Sequence, residues 1–261
     1  MYFKLIIEFN NSIVNIRTKD YRLQFICYTF LKAAQATYII IYKEIDLMKD
    51  FAFISDFDGT LTKKDFYKIL SDAYLKEDFP PLFKAWKNGE MKDREYLSYV
   101  FNNVKRSEKE IDEDILNIPF DIFAKDFIEQ VKVAGGDFIV ISAGTSYYID
   151  KIFKKHNIKG VDVYSNKGIF KDNGIYFDLD ENSEFYSDRY GIDKLMVVEK
   201  LRKNYKKIFY AGDSGPDLKP ALASDLIFAK GELVALLKKE KKDFIEFDNF
   251  SEVWDKLKKY L

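Results

Sequence analysis

The chain has 261 residues, of which 47% are hydrophobic and 33% are charged, so it can bury a core and is not a wholly disordered chain. Its formal net charge of -1 argues against a dedicated nucleic-acid binder. The single cysteine, Cys27, and the single histidine, His156, exclude an internal disulfide and a zinc site built from several cysteines or histidines.

Residues 1–47 differ in character from the rest, and we interpret them as an N-terminal extension. The stretch 23–42 is the most apolar long run and could span a bilayer by length. Lys32 lies at its centre, however, and a central lysine costs about 2.5–3.5 kcal/mol on insertion scales. We therefore predict a cytoplasmic protein without membrane contact unless 23–42 is a real anchor, and we hypothesise a mis-assigned start upstream of Met48.

From residue 51 onward, short apolar runs alternate with helical patterns. The runs predict strands at Phe51–Ser55, Phe138–Ser142, Val161–Ser165, Lys207–Ala211, Leu226–Ala229 and Phe244–Phe247. Asn173-Gly174, between two further short runs, predicts a hairpin turn. Strands that alternate with helices indicate an α/β fold, here a three-layer sandwich around a parallel, Rossmann-like sheet.

Residues 65–118 interrupt this alternation. Three stretches place apolar residues at helical spacing, and Ser107 with Glu110 predicts a capping box for the third. We interpret 65–118 as an inserted small helical cap and predict that the catalytic core comprises 48–64 and 119–261.

Four polar segments follow predicted strands or begin helices, where ligands bind in open α/β sheets. They are DFDGTLT from Asp56, SAGTS from Ser142, Lys194 at a helix start, and GDSGPD from Gly212. Two carboxylates one residue apart can divide nucleophilic attack from proton transfer. Carboxylates from adjacent strands suit Mg²⁺, and a serine before small residues at a helix start suits a phosphate oxygen.

This ordered set resembles the motifs of the haloacid dehalogenase superfamily of aspartate-nucleophile phosphatases, over residues 51–261. The resemblance implies that Asp56 forms an aspartyl-phosphate, while Asp58 acts as general acid and then as the base that activates water. It also implies that Ser142 and the Ala143 amide bind phosphate, and that Lys194 bridges the nucleophile and the phosphate.

The same resemblance implies a Mg²⁺ site. Asp213, Asp56 and the backbone carbonyl of Asp58 would hold the ion. Asp217 would orient Lys194 or a metal-bound water from the second layer of the site.

The helical block is similar to the small cap of phosphoserine phosphatases and of 2-hydroxy-3-keto-5-methylthiopentenyl-1-phosphate phosphatases. The second group looks closer, because it shares the DFDGT form with Gly59, the separation between Lys194 and Asp213, and the SDLIFAKGEL-type stretch at 224–233. The chain departs from some members by having no Cys/His-rich insert before Lys194.

Asp65 has two interpretations. Phosphoserine phosphatases place an acidic substrate contact at the matching position, and an aspartate before a helix is also a typical N-cap.

We therefore predict a Mg²⁺-dependent phosphomonoesterase for a small phosphorylated metabolite. The alternatives are a phosphoserine phosphatase, a phosphotransferase with the same intermediate, and a non-catalytic phosphate-binding regulatory protein. No nucleic-acid partner is expected, and the oligomeric state and the individual substrate stay open.

Overall fold

A computed structural model describes residues 3–9, 12–18, 29, 48–76 and 79–261. The chain divides into two units, Met1–Met48 and Lys49–Leu261. In the first unit, strands β1 (Phe3–Phe9) and β2 (Ser12–Thr18) pair antiparallel. The apolar run at 23–42 lies outside the described residues, apart from Thr29. Within the described part of the chain, no helix combines the length and apolar character that crossing a membrane requires.

The second unit alternates strands and helices along the chain. Its first half contains β3 (Lys49–Ser55), α1 (Phe66–Tyr74), α2 (Phe79–Lys87), α3 (Asp93–Asn102), α4 (Glu108–Leu116), α5 (Ala124–Val133), β4 (Asp137–Thr145) and α6 (Ser146–Lys155). Its second half contains β5 (Asp162–Asn166), β6 (Gly168–Lys171), β7 (Gly174–Phe177), β8 (Tyr186–Ser187), β9 (Gly191–Ile192), α7 (Lys194–Leu201), β10 (Tyr205–Gly212), a 3₁₀ turn (Gly215–Asp217), α8 (Leu218–Leu222), β11 (Leu226–Ala229), α9 (Gly231–Lys239), β12 (Ile245–Glu246) and α10 (Phe250–Leu257).

Six of these strands form a parallel sheet in the order β12-β11-β10-β3-β4-β5. The central strand β3 pairs with β10 on one side and with β4 on the other. Helices cover both faces, and residues Phe51–Ser55 are all buried, as expected for a strand inside a doubly covered parallel sheet. The predicted α/β class is therefore confirmed.

Two apolar clusters, one on each face, hold the sheet between its helices. Successive side chains of β3 point to opposite faces, so Phe53 belongs to one cluster and Ile54 to the other. Phe53 contacts Phe127 edge to face, with ring centroids 4.7 Å apart, and lies near Phe250. Burying each such ring contributes about 1.5–3 kcal/mol, so the phenylalanine-rich composition supplies much of the core energy.

The helical segment, residues 65–118, holds α1 to α4 between β3 and α5. The three predicted helices are present, and Ser107 and Glu110 form the predicted capping box at the start of α4. Helix α2, which carries Pro80 and Pro81, was not predicted. Proline is tolerated in the first helical turn, where its missing N–H would have no partner in any case.

Two short antiparallel hairpins accompany the sheet. The β6–β7 hairpin confirms the predicted turn but shifts it by one residue, because Asp172 and Asn173 take the two positive φ angles and Gly174 begins β7. A Cβ on Gly174 would lie 2.8 Å from the Asn102 carbonyl oxygen, so this glycine allows β7 to pack on α3. The β8–β9 hairpin was not predicted.

Candidate active site

The strands β3, β4 and β10 bring the predicted site residues to one edge of the sheet. A cavity of about 460 Å³ lies over this edge, and the helical segment supplies its far wall, including Tyr67, Trp86 and Leu97. Seven of the predicted residues line the cavity: Asp56, Asp58, Asp65, Ser142, Ala143, Lys194 and Asp213. Asp217 lies behind them, fully buried.

Asp56 begins the loop after β3 and is fixed by its backbone, whose N–H donates to the Ala211 carbonyl oxygen at 2.9 Å. Its side chain is buried, and Oδ1 accepts a hydrogen bond from Lys194 Nζ at 2.6 Å. Its other oxygen, Oδ2, is buried and has no hydrogen-bond partner among the described residues. Burial raises the pKa of the Asp56 carboxyl well above its usual value, against the opposing effect of Lys194.

Lys194 is the first residue of α7 and is only 4% exposed. The Asp193 carboxylate caps that helix, since it accepts from the N–H groups of Leu195 and Met196. Burial alone would lower the pKa of Lys194, but the carboxylates of Asp217 and Asp56 outweigh it and raise that pKa above the usual range. Lys194 is therefore a charged group held between two buried carboxylates.

Asp217 connects the start of α7 to β10 and to the loop that follows β10. Its Oδ1 accepts from Lys194 Nζ at 2.7 Å and from the Tyr210 hydroxyl at 2.8 Å. Its Oδ2 accepts from the backbone N–H groups of Asp213 and Ser214, both at 3.1 Å, and from the Ser214 hydroxyl. Both carboxylate oxygens of Asp217 thus have hydrogen-bond donors within the protein, which suits a residue that orients Lys194.

Asp213 follows β10 and faces Asp56 across the sheet edge. Asp56, Asp213 and Asp217 each offer one carboxylate oxygen, and these atoms lie within 4.8 Å of one another. Burial, with the Asp217 carboxylate, raises the pKa of Asp213 to about 7. Gly59 has a φ of 78°, and a Cβ there would lie 2.3 Å from Asp213 Oδ2, so a glycine is needed for this close approach.

Asp58 is held by two donors from different parts of the unit. Its Oδ1 accepts from the backbone N–H of Phe66 at 3.0 Å, at the start of α1, and its Oδ2 accepts from the Tyr148 hydroxyl. Burial, and next the Asp65 carboxylate, raises the pKa of Asp58 to about 6. Tyr148 was missed from the sequence, because a tyrosine in a helix 90 positions from Asp58 carries no local signal of this contact.

The Ser142 segment lies at the end of β4. Ser142 is buried, and its hydroxyl oxygen accepts from the Gly144 N–H at 3.0 Å, a bond that leaves the hydroxyl hydrogen unused. The Ala143 carbonyl accepts from the Asn166 side chain at 2.8 Å. Both residues line the cavity beside Asp56, where a phosphate oxygen could be bound.

Asp65 lines the cavity but does not cap α1 with its side chain. It occupies the N-cap position, yet its carboxylate forms no capping hydrogen bond and instead pairs with Lys68. The capping interpretation is therefore wrong at the side chain: an N-cap side chain accepts from the second or third helical N–H, and the third, that of Lys68, donates to the backbone carbonyl oxygen of Asp65 instead.

Charged residues join the helical segment to the β8–β9 hairpin at the cavity rim, and we call them the clasp: Lys92, Asp93, Arg94, Asp188 and Arg189. Asp93 accepts from Arg189 Nε at 2.7 Å. Asp188 pairs with Arg94 at 2.9 Å and with Lys92 at 2.6 Å. Most of these side chains are solvent-exposed, so each pair is worth only about 0–1 kcal/mol and can open readily.

Comparisons with known proteins relate the chain to phosphatases. A family model described as "Putative Phosphatase" matches residues 51–244. The 2-hydroxy-3-keto-5-methylthiopentenyl-1-phosphate phosphatase of Bacillus pumilus is 26% identical over 211 residues, which cover 76% of this chain and 91% of that protein. The polyol phosphate phosphatase of Saccharomyces cerevisiae is 27% identical over 238 residues, covering 79% and 92%. In fold, the chain is similar to a phospho-aspartyl intermediate analogue of phosphoserine phosphatase, with a TM-score of 0.59, 21% identity and coverage of 79% and 98%.

Proposed function

Since the chain belongs to this Putative Phosphatase family, a group of phosphoric monoester hydrolases in the haloacid dehalogenase superfamily, we propose a Mg²⁺-dependent mechanism with an aspartyl-phosphate on Asp56. The substrate is a small phosphorylated metabolite. The helical segment acts as the cap of a core formed by 48–64 and 119–261, because its aromatic side chains supply the far wall of the cavity.

The observation that carries the proposal is the unpartnered oxygen of Asp56. A buried carboxylate oxygen without a donor costs free energy, so such an atom is retained where a ligand or a reacting atom will meet it. Lys194 holds the other oxygen and so fixes the direction of Oδ2. In phosphoryl transfer, the orientation of the attacking oxygen matters more than its intrinsic reactivity.

The donor set also fits Mg²⁺. Hard carboxylate oxygens from Asp56 and Asp213 lie close together at the cavity. Asp217 already accepts five hydrogen bonds, so Asp56, Asp213 and the Asp58 carbonyl are the better ligands, with Asp217 orienting Lys194. When bound, the ion would offset the charge of these carboxylates and of the phosphoryl oxygens.

In the first step, Asp56 Oδ2 forms a bond to phosphorus and the bond from phosphorus to the ester oxygen breaks. The ester oxygen takes that electron pair and receives a proton from the Asp58 carboxyl. Ser142 and the Ala143 amide donate to phosphoryl oxygens, and Lys194 supplies positive charge beside the new acyl phosphate. In the second step, Asp58 accepts a proton from water, whose oxygen bonds to phosphorus as the bond to Asp56 breaks.

The proposal is tested with Asp56→Asn and Asp58→Asn, using phosphate release from small monoesters with Mg²⁺ and intact mass after acid quenching. Asp56→Asn should release no phosphate and carry no phosphoryl group. Asp58→Asn should still be phosphorylated by an aryl phosphate, whose leaving group needs no proton, and should retain the phosphoryl group. Urea unfolding controls for folding. Wild-type turnover in Asp56→Asn, or full activity in excess EDTA, would refute the mechanism.

A further inference from the structure

Tyr148 lies beside the reacting groups and has no role in the mechanism above. It is in the first turn of α6, is 1% exposed, and donates its hydroxyl hydrogen to Asp58 Oδ2. The other oxygen of Asp58 accepts from the Phe66 N–H. Each oxygen of the Asp58 carboxylate therefore accepts one hydrogen bond, one from the buried Tyr148 hydroxyl and one from the first backbone N–H of α1.

The position of the Tyr148 hydroxyl is set by packing. Its ring is surrounded by Phe57, Phe66 and Phe101, with centroids 5.9, 4.9 and 6.2 Å away. A Cβ on Gly144 would lie 1.6 Å from the Tyr148 hydroxyl oxygen, so the phosphate-binding segment leaves room for this group by having no side chain there. A phenol buried this deeply needs a hydrogen-bond partner, and Asp58 is that partner.

We propose that Tyr148 is a positioning residue that aims the Asp58 carboxyl at the leaving oxygen. The inference rests on the proposed function, because it concerns the proton that Asp58 gives as the ester bond breaks. Without the hydroxyl, the Phe66 N–H would be the one remaining donor to the Asp58 carboxyl among the described residues, and that donor belongs to the helical segment. The carboxyl could then rotate about its own side-chain bonds away from the leaving oxygen.

If the Asp58 carboxyl no longer protonates the leaving oxygen, the rate loss should depend on the leaving group. An alkoxide leaves poorly without a proton, whereas p-nitrophenolate leaves readily without one. The parameter kcat/KM covers only the steps up to departure of the leaving group, so it is free of the later hydrolysis of the aspartyl-phosphate. Tyr148→Phe, which removes one oxygen and keeps the ring, should lower kcat/KM for an alkyl phosphate by about 10–100-fold. For p-nitrophenyl phosphate it should be nearly unchanged.

Tyr147→Phe is the matched control, because Tyr147 is the preceding residue of the same helix and its hydroxyl bonds to Glu108 at 2.9 Å instead of to Asp58. Tyr147→Phe should leave kcat/KM unchanged for both the alkyl and the aryl phosphate. A double-mutant cycle adds a second readout, the rate at which the enzyme is phosphorylated, followed by intact mass. In an Asp58→Asn background, Tyr148→Phe should not slow phosphorylation by the alkyl phosphate any further, since its action passes through Asp58. Urea unfolding reports whether each variant is folded.

Equal losses on the alkyl and aryl phosphates would overturn the proposal and show that Tyr148 supports the site as a whole. A loss that persists in the Asp58→Asn background would overturn it as well. Absence of wild-type turnover on both substrates would instead refute the proposed function, so the two failures are distinguishable.

Discussion

Comparing Gly59→Ala with Gly89→Ala separates the effect of backbone strain from the effect of a collision at the candidate metal site. Gly59 and Gly89 share a φ of 78°, in the left-handed region where a side chain costs about 1–2 kcal/mol. At Gly89 an added Cβ would meet nothing within 4 Å, whereas at Gly59 it would lie 2.3 Å from Asp213 Oδ2. Gly89→Ala is therefore a control with the same φ and no collision.

The magnitude of the collision follows from the contact distance. Non-bonded carbon and oxygen atoms settle at about 3.5 Å, so the Asp213 carboxylate must retreat by about 1 Å. A carboxylate at the end of a side chain can rotate at small cost in stability. A displacement of about 1 Å in a catalytic group, however, costs about 10²-fold in rate.

We expect both variants to lose a similar free energy of unfolding, about 1–2 kcal/mol, in urea titrations with EDTA. Only Gly59→Ala should lose about 10²-fold in kcat/KM and require more Mg²⁺ for half-maximal activity. If both variants kept the same kcat/KM and the same Mg²⁺ requirement, the close approach to Asp213 would have no functional meaning, and the reasoning would be refuted.

Three further predictions follow from the site. Asp217→Asn should destabilise the fold by about 3–5 kcal/mol in urea, because it removes one carboxylate from buried Lys194; a loss below about 1 kcal/mol would contradict this. Burial raises the pKa of Asp213 to about 7, so Asp213 lowers the stability of the metal-free fold as pH rises from about 4 to 7. Asp56 and Asp58, whose pKa values are also raised, act in the same direction, so Asp213→Asn should lose less stability than the wild type but still lose some. The variant should become the more stable protein across that window, and parallel pH curves in urea would refute it. Asp188→Ala should raise KM by about two- to fivefold and make it less sensitive to salt, because the clasp loses two ion pairs; an unchanged salt dependence would contradict this.

Hydrophobic patterning predicted the sheet and the polar residues at its edge. The run before Asp56 and the run before Asp213 are short, apolar and bounded by glycine or aspartate, so they indicate buried strands without any knowledge of their partners. Because carboxyl ends of parallel strands share an edge, the proximity of the two aspartates followed from the class of fold.

The contacts that the sequence did not predict join residues far apart in the chain. The hydrogen bond from Tyr148 to Asp58 joins a helix to a loop, and the pairing of Arg189 with Asp93 joins a hairpin to a helix, and neither leaves a local periodicity or spacing. Tyr210, which donates to Asp217, reads in the sequence only as one more apolar residue of β10. Helix α2 was hidden by its two prolines, whose position in the first turn is evident only when the helix start is known.

The pairing of β3 with β10 has a consequence for synthesis of the chain. These neighbours in the sheet are separated by more than half of the sequence, and each is followed directly by an aspartate of the candidate metal site, Asp56 or Asp213. A nascent chain therefore exposes the strand that precedes Asp56 long before the strand that precedes Asp213 leaves the ribosome. The catalytic centre can assemble only late, and until then an apolar strand has an open edge available for wrong pairing or for a chaperone.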